Sequence, residues 1–397
     1  MTRSPKVIVI GGGIGGLTTA LALHRRNIEV EIYEQAGQIS EIGAGISLSP
    51  NGLKALRPLG IEDELLEIGF ESPGHAMRAW DTGAVISYMD RRGVYERDFN
   101  ARYTSIHRAD LTDILRRQLP DHIFHLGKRC ATATTTNSEA QVTFTDGSNA
   151  SADLVIGADG IHSAVRKAVA GERAARFTGS VCWRGLVPFD SLPSGSIGKE
   201  LTIFMGPKSH VIHYLVRRGE LVNFVAHVET DSWTQESWTQ ECDRADALAA
   251  FTGWYEPLRQ LIGSSERYYK WALFDRDPLT RWSKGRLVLM GDAAHPMLPH
   301  IGQGAVMAIE DGCALGILLD SHRDNIDTAI QRYQTLRIPR ANKAVIDARD
   351  RGREMHAQSK FAQFARNIKM GLRKTFGGDK TALNLGAFYD YDINKAV

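Results

Sequence analysis

The chain has 397 residues, 43% hydrophobic and 24% charged, a composition of ordinary globular proteins that excludes global disorder. Its 48 basic against 46 acidic side chains leave +2, with no block of five like charges, so neither a nucleic-acid tract nor a polybasic membrane patch is indicated. The length leaves room for two to three domains at roughly 150 residues each.

The chain opens on a buried-strand pattern, Val7 to Ile10, followed at once by the glycine cluster Gly11 to Gly16 and a helical stretch from Leu17 to about Arg26. This is neither a signal peptide nor a spanning helix, and no apolar run of 18 occurs, so a cytoplasmic location is expected. A second β-rich run, Val30 to Tyr33, ends at Glu34; strand, turn, helix and strand together make a βαβ unit and imply a parallel sheet. Residues 74–99 break into short turn-rich segments, and Leu154 to Ile156 again reads as a buried strand. Between about 178 and 270 the runs Thr202–Phe204, Val211–Val216 and Leu221–His227 suit antiparallel strands of a second sheet. Leu287 to Met290 returns to the buried-strand pattern, and from Ala305 the periodicity is helical. The four cysteines lie 52, 60 and 71 positions apart with no C-x-x-C pair, so no metal site, iron–sulfur run or redox dithiol is assigned.

Gly11-x-Gly13-x-x-Gly16 is weak as a bare string, but here it sits between strand and helix with an acidic residue, Glu34, closing the next strand 23 positions on. Glycines there permit a tight turn and bring a pyrophosphate to a helix N-terminus, whose free N–H groups and dipole favour anions, while Glu34 can accept from ribose hydroxyls. The loop, with Ile14 and Gly15 inside it, points to an adenine dinucleotide without separating FAD from NAD. Two later motifs separate them: Gly157-Ala158-Asp159-Gly160, with Ser163 and Arg166 after it, and Gly291-Asp292-Ala293-Ala294-His295-Pro296. An aspartate among small residues at a strand end can approach a polyol chain closely, and FAD has one in its ribityl while NAD does not. No second dinucleotide loop occurs.

On these residues the chain resembles the group A flavoprotein aromatic hydroxylases, and within them it is similar to salicylate hydroxylase and 3-hydroxybenzoate 6-hydroxylase, from residue 6 to about 345. Gly43-Ala44-Gly45-Ile46, His107-Arg108-Ala109-Asp110-Leu111 and Asp275-Arg276-Asp277-Pro278 belong to the likeness. It implies an α/β fold with an α+β insertion: a Rossmann-like FAD-binding domain over 1–73, 100–177 and 271–345, a mostly antiparallel substrate domain over 74–99 and 178–270, and a C-terminal helical tail over 346–397. By the same resemblance Glu34 holds the adenosine ribose, Gly45 and Arg108 contact the cofactor, Asp292 binds the ribityl chain, and the segment of Asp159 serves FAD and an incoming nicotinamide. Gly302, Gln303, Gly304 and Ala305, which follow Pro299-His300-Ile301, would border the flavin ring where a helix N-terminus favours negative charge.

The implied chemistry is reduction of FAD by NADH or NADPH, then oxygen transfer from an FAD C4a-hydroperoxide to a monocyclic phenol or hydroxybenzoate. Salicylate-type decarboxylation to a catechol is the leading case. The alternatives are ring hydroxylation of 3-hydroxybenzoate or a hydroxypyridine carboxylate, and a non-oxygenating flavin oxidoreductase. Ser47 stands where a related 6-hydroxynicotinate hydroxylase carries histidine, which weakens the pyridine reading. A phenolate is the better nucleophile, so a base is wanted, and neutral histidine suits. His210 and Tyr214 share one face of a strand with His213 on the other, and the family carries His and Tyr at that spacing in its substrate pocket. His300 matches the Pro-His pair of salicylate hydroxylase. His210, Tyr214 and His300 are therefore the catalytic candidates, while His213 is read as structural and His295 as structural or cofactor-adjacent. Arg184 is one candidate partner for a substrate carboxylate. A small aromatic substrate and O2 are the expected partners, for a monomer or homodimer without nucleic acid or membrane.

Overall fold

The structure, a computed structural model, describes residues 4–39, 44–230, 240–359, 361–368 and 385–397. Gly43, expected in a cofactor motif, lies outside them.

Apolar residues uninterrupted by polar ones can be buried on both faces of a parallel sheet. Three strands of the first sheet carry such runs, β1 (Lys6–Ile10), β11 (Leu154–Gly157) and β19 (Leu287–Leu289); with β2 (Glu29–Tyr33) and β7 (Phe124–His125) they lie parallel in the order β19-β11-β1-β2-β7. A short antiparallel strand, β18 (Ser283–Lys284), closes the edge beside β19. Ile10 pairs with Gly157 and Gly157 with Leu289, so the segments after β1, β11 and β19 emerge side by side at one edge. Carboxyl ends of adjacent parallel strands are where α/β sheets place ligands. Three sequence motifs separated by more than 130 residues each are thereby made neighbours.

The helix after β1, α1 (Ile14–His24), starts three residues before the stretch read from sequence. Gly15 and Gly16 argue against helix by propensity, but tertiary contact overrides it: a Cβ on Gly15 would press on Met290 and Ala308. Ala308 belongs to a long helix, α4 (Gly304–Ser321), which lies against α1. Small residues permit the contact, since Cβ atoms on Gly312 and Gly316 would stand 2.9 Å from the Thr19 nitrogen and 2.6 Å from the Ala22 Cβ. This close pairing sets the N-termini of α1 and α4 together. Gly316→Val is expected to destabilise the fold by about 1–3 kcal/mol through overpacking and to weaken cofactor retention with it. Urea unfolding checks the first, and an unchanged midpoint would refute the packing argument.

The second sheet has eight strands in the order β16-β17-β12-β15-β14-β13-β4-β5. These are β4 (Gly74–Ala79), β5 (Val85–Asp90), β12 (Arg176–Pro188), β13 (Leu201–Gly206), β14 (Ser209–Val216), β15 (Leu221–Glu229), β16 (Gln240–Glu241) and β17 (Tyr269–Asp275). The runs read as strands from sequence fall inside β13, β14 and β15, all pairing antiparallel, while β4 enters parallel to β13. On the back face Phe204, Val211, Val222, Phe224 and Ala226 pack against Ala247 and Leu258 of two short covering helices and Phe251 and Trp254 between them. The front face turns toward the first sheet. A two-stranded ladder, β3 (Gly45–Leu48) with β6 (Thr104–His107), lies between the sheets, and β8 (Cys130–Thr135), β9 (Ala140–Phe144) and β10 (Asn149–Ala152) form a small separate sheet.

Toward the C-terminus, α5 runs unbroken over Ile326–Met355, so the start of the tail expected at 346 falls inside a 30-residue helix. The charged surface of that stretch hides a buried stripe, Ala341, Ala344, Val345 and Ala348, at helical spacing. The last residues return to the first domain, where Lys54 Nζ donates to the Tyr389 and Asp390 carbonyls at 2.8 Å each. No helix among the described residues is long and apolar enough to cross a membrane.

Candidate functional site

A cavity of about 420 Å³ separates the front face of the second sheet from the ligand edge of the first. Gly13, Ile14, Gly15, Gly45, Arg108, Asp292, Gly302, Gly304 and Ala305 line it on one side, and His210, Tyr214 and His300 on the other. Both α1 and α4 point their N-termini into it with no side-chain cap and no acidic residue in the first turn. Such uncapped ends present orphan N–H groups and the positive pole of the dipole. Gly13 and Gly302 would meet no protein atom with an added Cβ, so their missing side chains leave room in the cavity rather than relieve a clash. Gly11 and Gly16 work differently. Gly11 has φ +110° and abuts the Ala158 carbonyl, and a Cβ on Gly16 would run into the Gly11 carbonyl; both keep the turn tight without lining the cavity.

The acidic candidates divide in the same way. Asp292 faces the cavity after β19. Asp159 accepts from the Ala164 N–H through Oδ2 at 2.7 Å, while its buried Oδ1 has no hydrogen-bond partner; burial raises its pKa. A buried acceptor left open is costly unless something bonds to it. Glu34 lies off the cavity and uses both oxygens on backbone, accepting from Gly12 N at 2.7 Å and Ala36 N at 2.8 Å. Arg166 joins the two aspartate motifs, because its Nη1 donates to the Ala293 carbonyl at 2.7 Å and the Ala294 carbonyl at 3.1 Å. Its spacing after Asp159 is the sequence signal for this clamp. An uncapped N-terminus at α1, an orphan carboxylate oxygen and a cavity-facing aspartate together fit a dinucleotide with a sugar-alcohol chain.

Gln303, expected to border the flavin ring together with Gly302 and Gly304, sits just before the start of α4. Its amide is turned inward, donating to Ser49 Oγ at 3.0 Å and accepting from Asn51 Nδ2 at 3.0 Å, so only its backbone remains for the cavity. Asn51 also donates to Glu310 Oε1 at 2.7 Å. Beneath it Arg337 bridges Glu310 at 2.6 Å and Asp311 at 2.8 Å, all three fully buried, and Arg340 adds a second cation to Glu310. His295, expected to be structural or cofactor-adjacent, bonds Asp311 at 2.6 Å. Burial alone would raise the Asp311 carboxyl, but His295 and Arg337 beside it hold it down at about 2. Its stabilising contribution is therefore present above about pH 4 and lost as pH falls toward 2.

Above the cavity four histidines converge. His210 and His227 are cross-strand partners whose rings stack at 4.3 Å, and His300 meets them at 5.3 and 5.4 Å. Nitrogens of these three lie within 4.8 Å of one another. His300 sits in the turn Pro299–Ile301 against Gly352 of α5, whose missing side chain leaves room for the ring. His356 reaches in from the end of α5, its Nε2 at 2.7 Å from His210 Nδ1. Tyr214 packs on Gly45, and Asn223 Oδ1 accepts from the Gly45 N–H at 2.7 Å, which ties β3 to the second sheet. Arg184 lines the same cavity, stacked over Trp271 at 4.1 Å, with Nε lacking a hydrogen-bond partner.

Burial pushes the pKa of His210 and His227 well below 6.5, and those of His300, His75 and His213 down to about 3. The unfolded chain binds protons at these rings below about pH 6.5 while the folded chain does not, so stability falls as pH drops through 6.5 toward 3. Each ring contributes a slope of about 1 kcal/mol per pH unit. The urea midpoint of the ligand-free protein is expected to fall steeply between pH 6.5 and 5, well before Asp311 titrates. A flat midpoint over that range would contradict the buried neutral cluster.

His227, His356, Asn223, Asn51 and the Glu310–Arg337 network are the site residues that sequence reading missed. His227 had a signal, since its strand pairs with that of His210; His356 had none, because its approach depends on how a distant helix docks.

The model of the "FAD binding domain" family matches residues 4–348. A 3-amino-4-hydroxybenzoate 2-monooxygenase of Streptomyces platensis, PtnB3, is 39% identical over 89% of this chain and 89% of its own. A crystal structure of Klebsiella pneumoniae HpxO with FAD and uric acid superposes at TM-score 0.86 with 30% identity, covering 97% of this chain and 98% of that one. A salicylate hydroxylase substrate complex superposes at TM-score 0.83 with 28% identity, covering 100% and 98%.

Proposed function

The chain belongs to the FAD-binding-domain family and is an FAD- and NAD(P)H-dependent aromatic monooxygenase, and from that premise we propose that it hydroxylates a monocyclic phenol bearing a carboxylate. The observation that carries this reading is the presence, in one cavity, of a histidine cluster with Arg184 beside it. FAD, when bound, supplies reduction by the nicotinamide and activation of O2. The protein's residues do the rest. Gly13, Ile14 and Gly15 at the start of α1 would hold the pyrophosphate, Asp292 and Asp159 the sugar chains, and the start of α4 would favour negative charge beside it.

On the substrate side a neutral imidazole at His210 accepts the phenolic proton, which raises the electron density of the ring. His300 orients the same hydroxyl, and Tyr214 fixes the position of the ring. Arg184 takes the carboxylate, because a guanidinium with donors to spare and an aromatic shelf under it offers charge-assisted bonds in a fixed plane. Arg184→Met is expected to raise KM for a carboxylate substrate by about 10–100-fold, the worth of a charged hydrogen bond, with a smaller change in kcat. Equal KM values in the two proteins would remove Arg184 from substrate binding.

Among carboxylates, 3-amino-4-hydroxybenzoate is the first to test, given the 39% identity to a monooxygenase of that compound. Decarboxylation of salicylate to catechol is the second reading, favoured by the Pro299–His300 pair. A panel of both compounds with uric acid, scored for product formed per NADH or NADPH consumed, tests the reading. Coupling with uric acid alone would refute the carboxylate requirement.

A further inference from the structure

A proton taken up by His210 cannot stay there, because the ring is buried among three other imidazoles and, among the described residues, no carboxylate touches it. An isolated charge in such a place is costly. One hydrogen-bonded path leaves the cluster. His210 Nδ1 lies 2.7 Å from His356 Nε2, and His356 Nδ1 lies 2.9 Å from Glu229 Oε1. The path runs from inside to outside: His210 is 3% exposed, the His356 side chain 4%, and that of Glu229, the last residue of β15, 31%.

The polarity of the path follows from its outer end. An ionised carboxylate only accepts, so His356 carries its proton on Nδ1 and offers Nε2 as a lone pair. His210 must then donate through Nδ1, which leaves its Nε2 as the basic nitrogen of the ring. His356 also caps the C-terminus of α5, its N–H donating to the Gly352 carbonyl at 3.1 Å. The negative pole there favours a transient imidazolium. The charged groups acting on the path are Glu229, Arg366 beside His356, and Arg184 beside His227; His227 and His300 act on it as neighbouring imidazoles.

We propose that His210, His356 and Glu229 form a proton relay that carries the phenolic proton of the substrate from the buried cavity to solvent. This rests on the hydroxylase reading above. The phenol O–H bond breaks as an N–H forms at His210 Nε2. The Nδ1 proton of His210 passes to His356 Nε2, and the Nδ1 proton of His356 passes to Glu229, which releases it to water. No electrons change hands, and the net result is a bound phenolate and one proton outside. Running the relay backwards returns a proton to the product phenolate and restores both tautomers. His356 and Glu229 are thus positioning and relay groups, with His210 alone in contact with substrate.

The test uses full-length, FAD-loaded, chelator-treated protein and the aromatic that couples in the panel above, starting with 3-amino-4-hydroxybenzoate. Stopped-flow with a pH-indicator dye reads proton release on substrate binding. His356→Gln is expected to slow release at least tenfold with substrate Kd unchanged, and added imidazole to restore it. Glu229→Gln, at a half-exposed strand end where folding is little at stake, is expected to slow release as well. Release at the wild-type rate in both variants, or no proton release by the wild type while it forms product, overturns the relay and leaves the hydroxylase reading intact. Absence of product from every aromatic in the panel overturns the functional reading and the relay with it.

Discussion

Replacing His210 with alanine is expected to cut coupled hydroxylation by roughly 10²–10⁴-fold, the usual worth of a positioned general base, while FAD stays bound. The separation of effects follows from the architecture. The glycine turns, Asp292 and the N-termini of α1 and α4 belong to the edge of the first sheet, whereas His210 belongs to β14 of the second. Removing one imidazole from that second sheet leaves the cofactor side untouched. NAD(P)H consumption should then continue with peroxide as the main product, and the ratio of product to nicotinamide consumed reads the loss. An unchanged ratio would remove His210 from the reaction.

Arg337→Ala is the substitution expected to damage the fold most. Arg337 is fully buried and neutralises both Glu310 and Asp311. Removing it leaves two adjacent carboxylates in the core with Arg340 and His295 as their remaining partners, and breaking a buried ion pair from one side costs about 3–5 kcal/mol. The loss reaches the site through a short path, because Glu310 holds Asn51, Asn51 holds Gln303, and Gln303 precedes the start of α4. Cofactor retention should fall together with the urea midpoint. Arg337→Met combined with Glu310→Gln and Asp311→Asn should recover part of the stability, since no buried carboxylate then lacks a partner and the charge left over is that of Arg340, which loses Glu310. A loss below about 1 kcal/mol in the single variant would show that the network is not the support described here.

The first sheet was legible because β1, β11 and β19 are nearly continuous apolar runs that lead into glycine, with an aspartate close behind in the last two, a local signal that survives without knowledge of the fold. The faces of β14 were equally legible, since alternation puts His210, Ile212 and Tyr214 on one side and His213 on the other, and the first three line the cavity while His213 packs beside Phe204 on the opposite face. Long-range docking was not legible. His356 reaches His210 only because α5 passes beside the turn of His300, and nothing in the charged stretch around it encodes that approach. Gln303 illustrates the converse: its neighbours Gly302 and Gly304 face the cavity, but its own amide is claimed by Ser49 and Asn51 some 250 positions earlier. The place of Glu34 at a strand end was legible, whereas the brace its carboxylate gives the glycine turn through Gly12 was not.

The central claim is that this cavity inserts oxygen into a carboxylated phenol. It is tested most directly by aerobic turnover of the FAD-loaded protein with NADH or NADPH, 3-amino-4-hydroxybenzoate and labelled ¹⁸O2, with salicylate in parallel, followed by mass spectrometry of the products. One labelled oxygen in a new hydroxyl group, formed in proportion to the nicotinamide consumed, is the predicted result. Nicotinamide consumed with an altered aromatic carrying no label would contradict it.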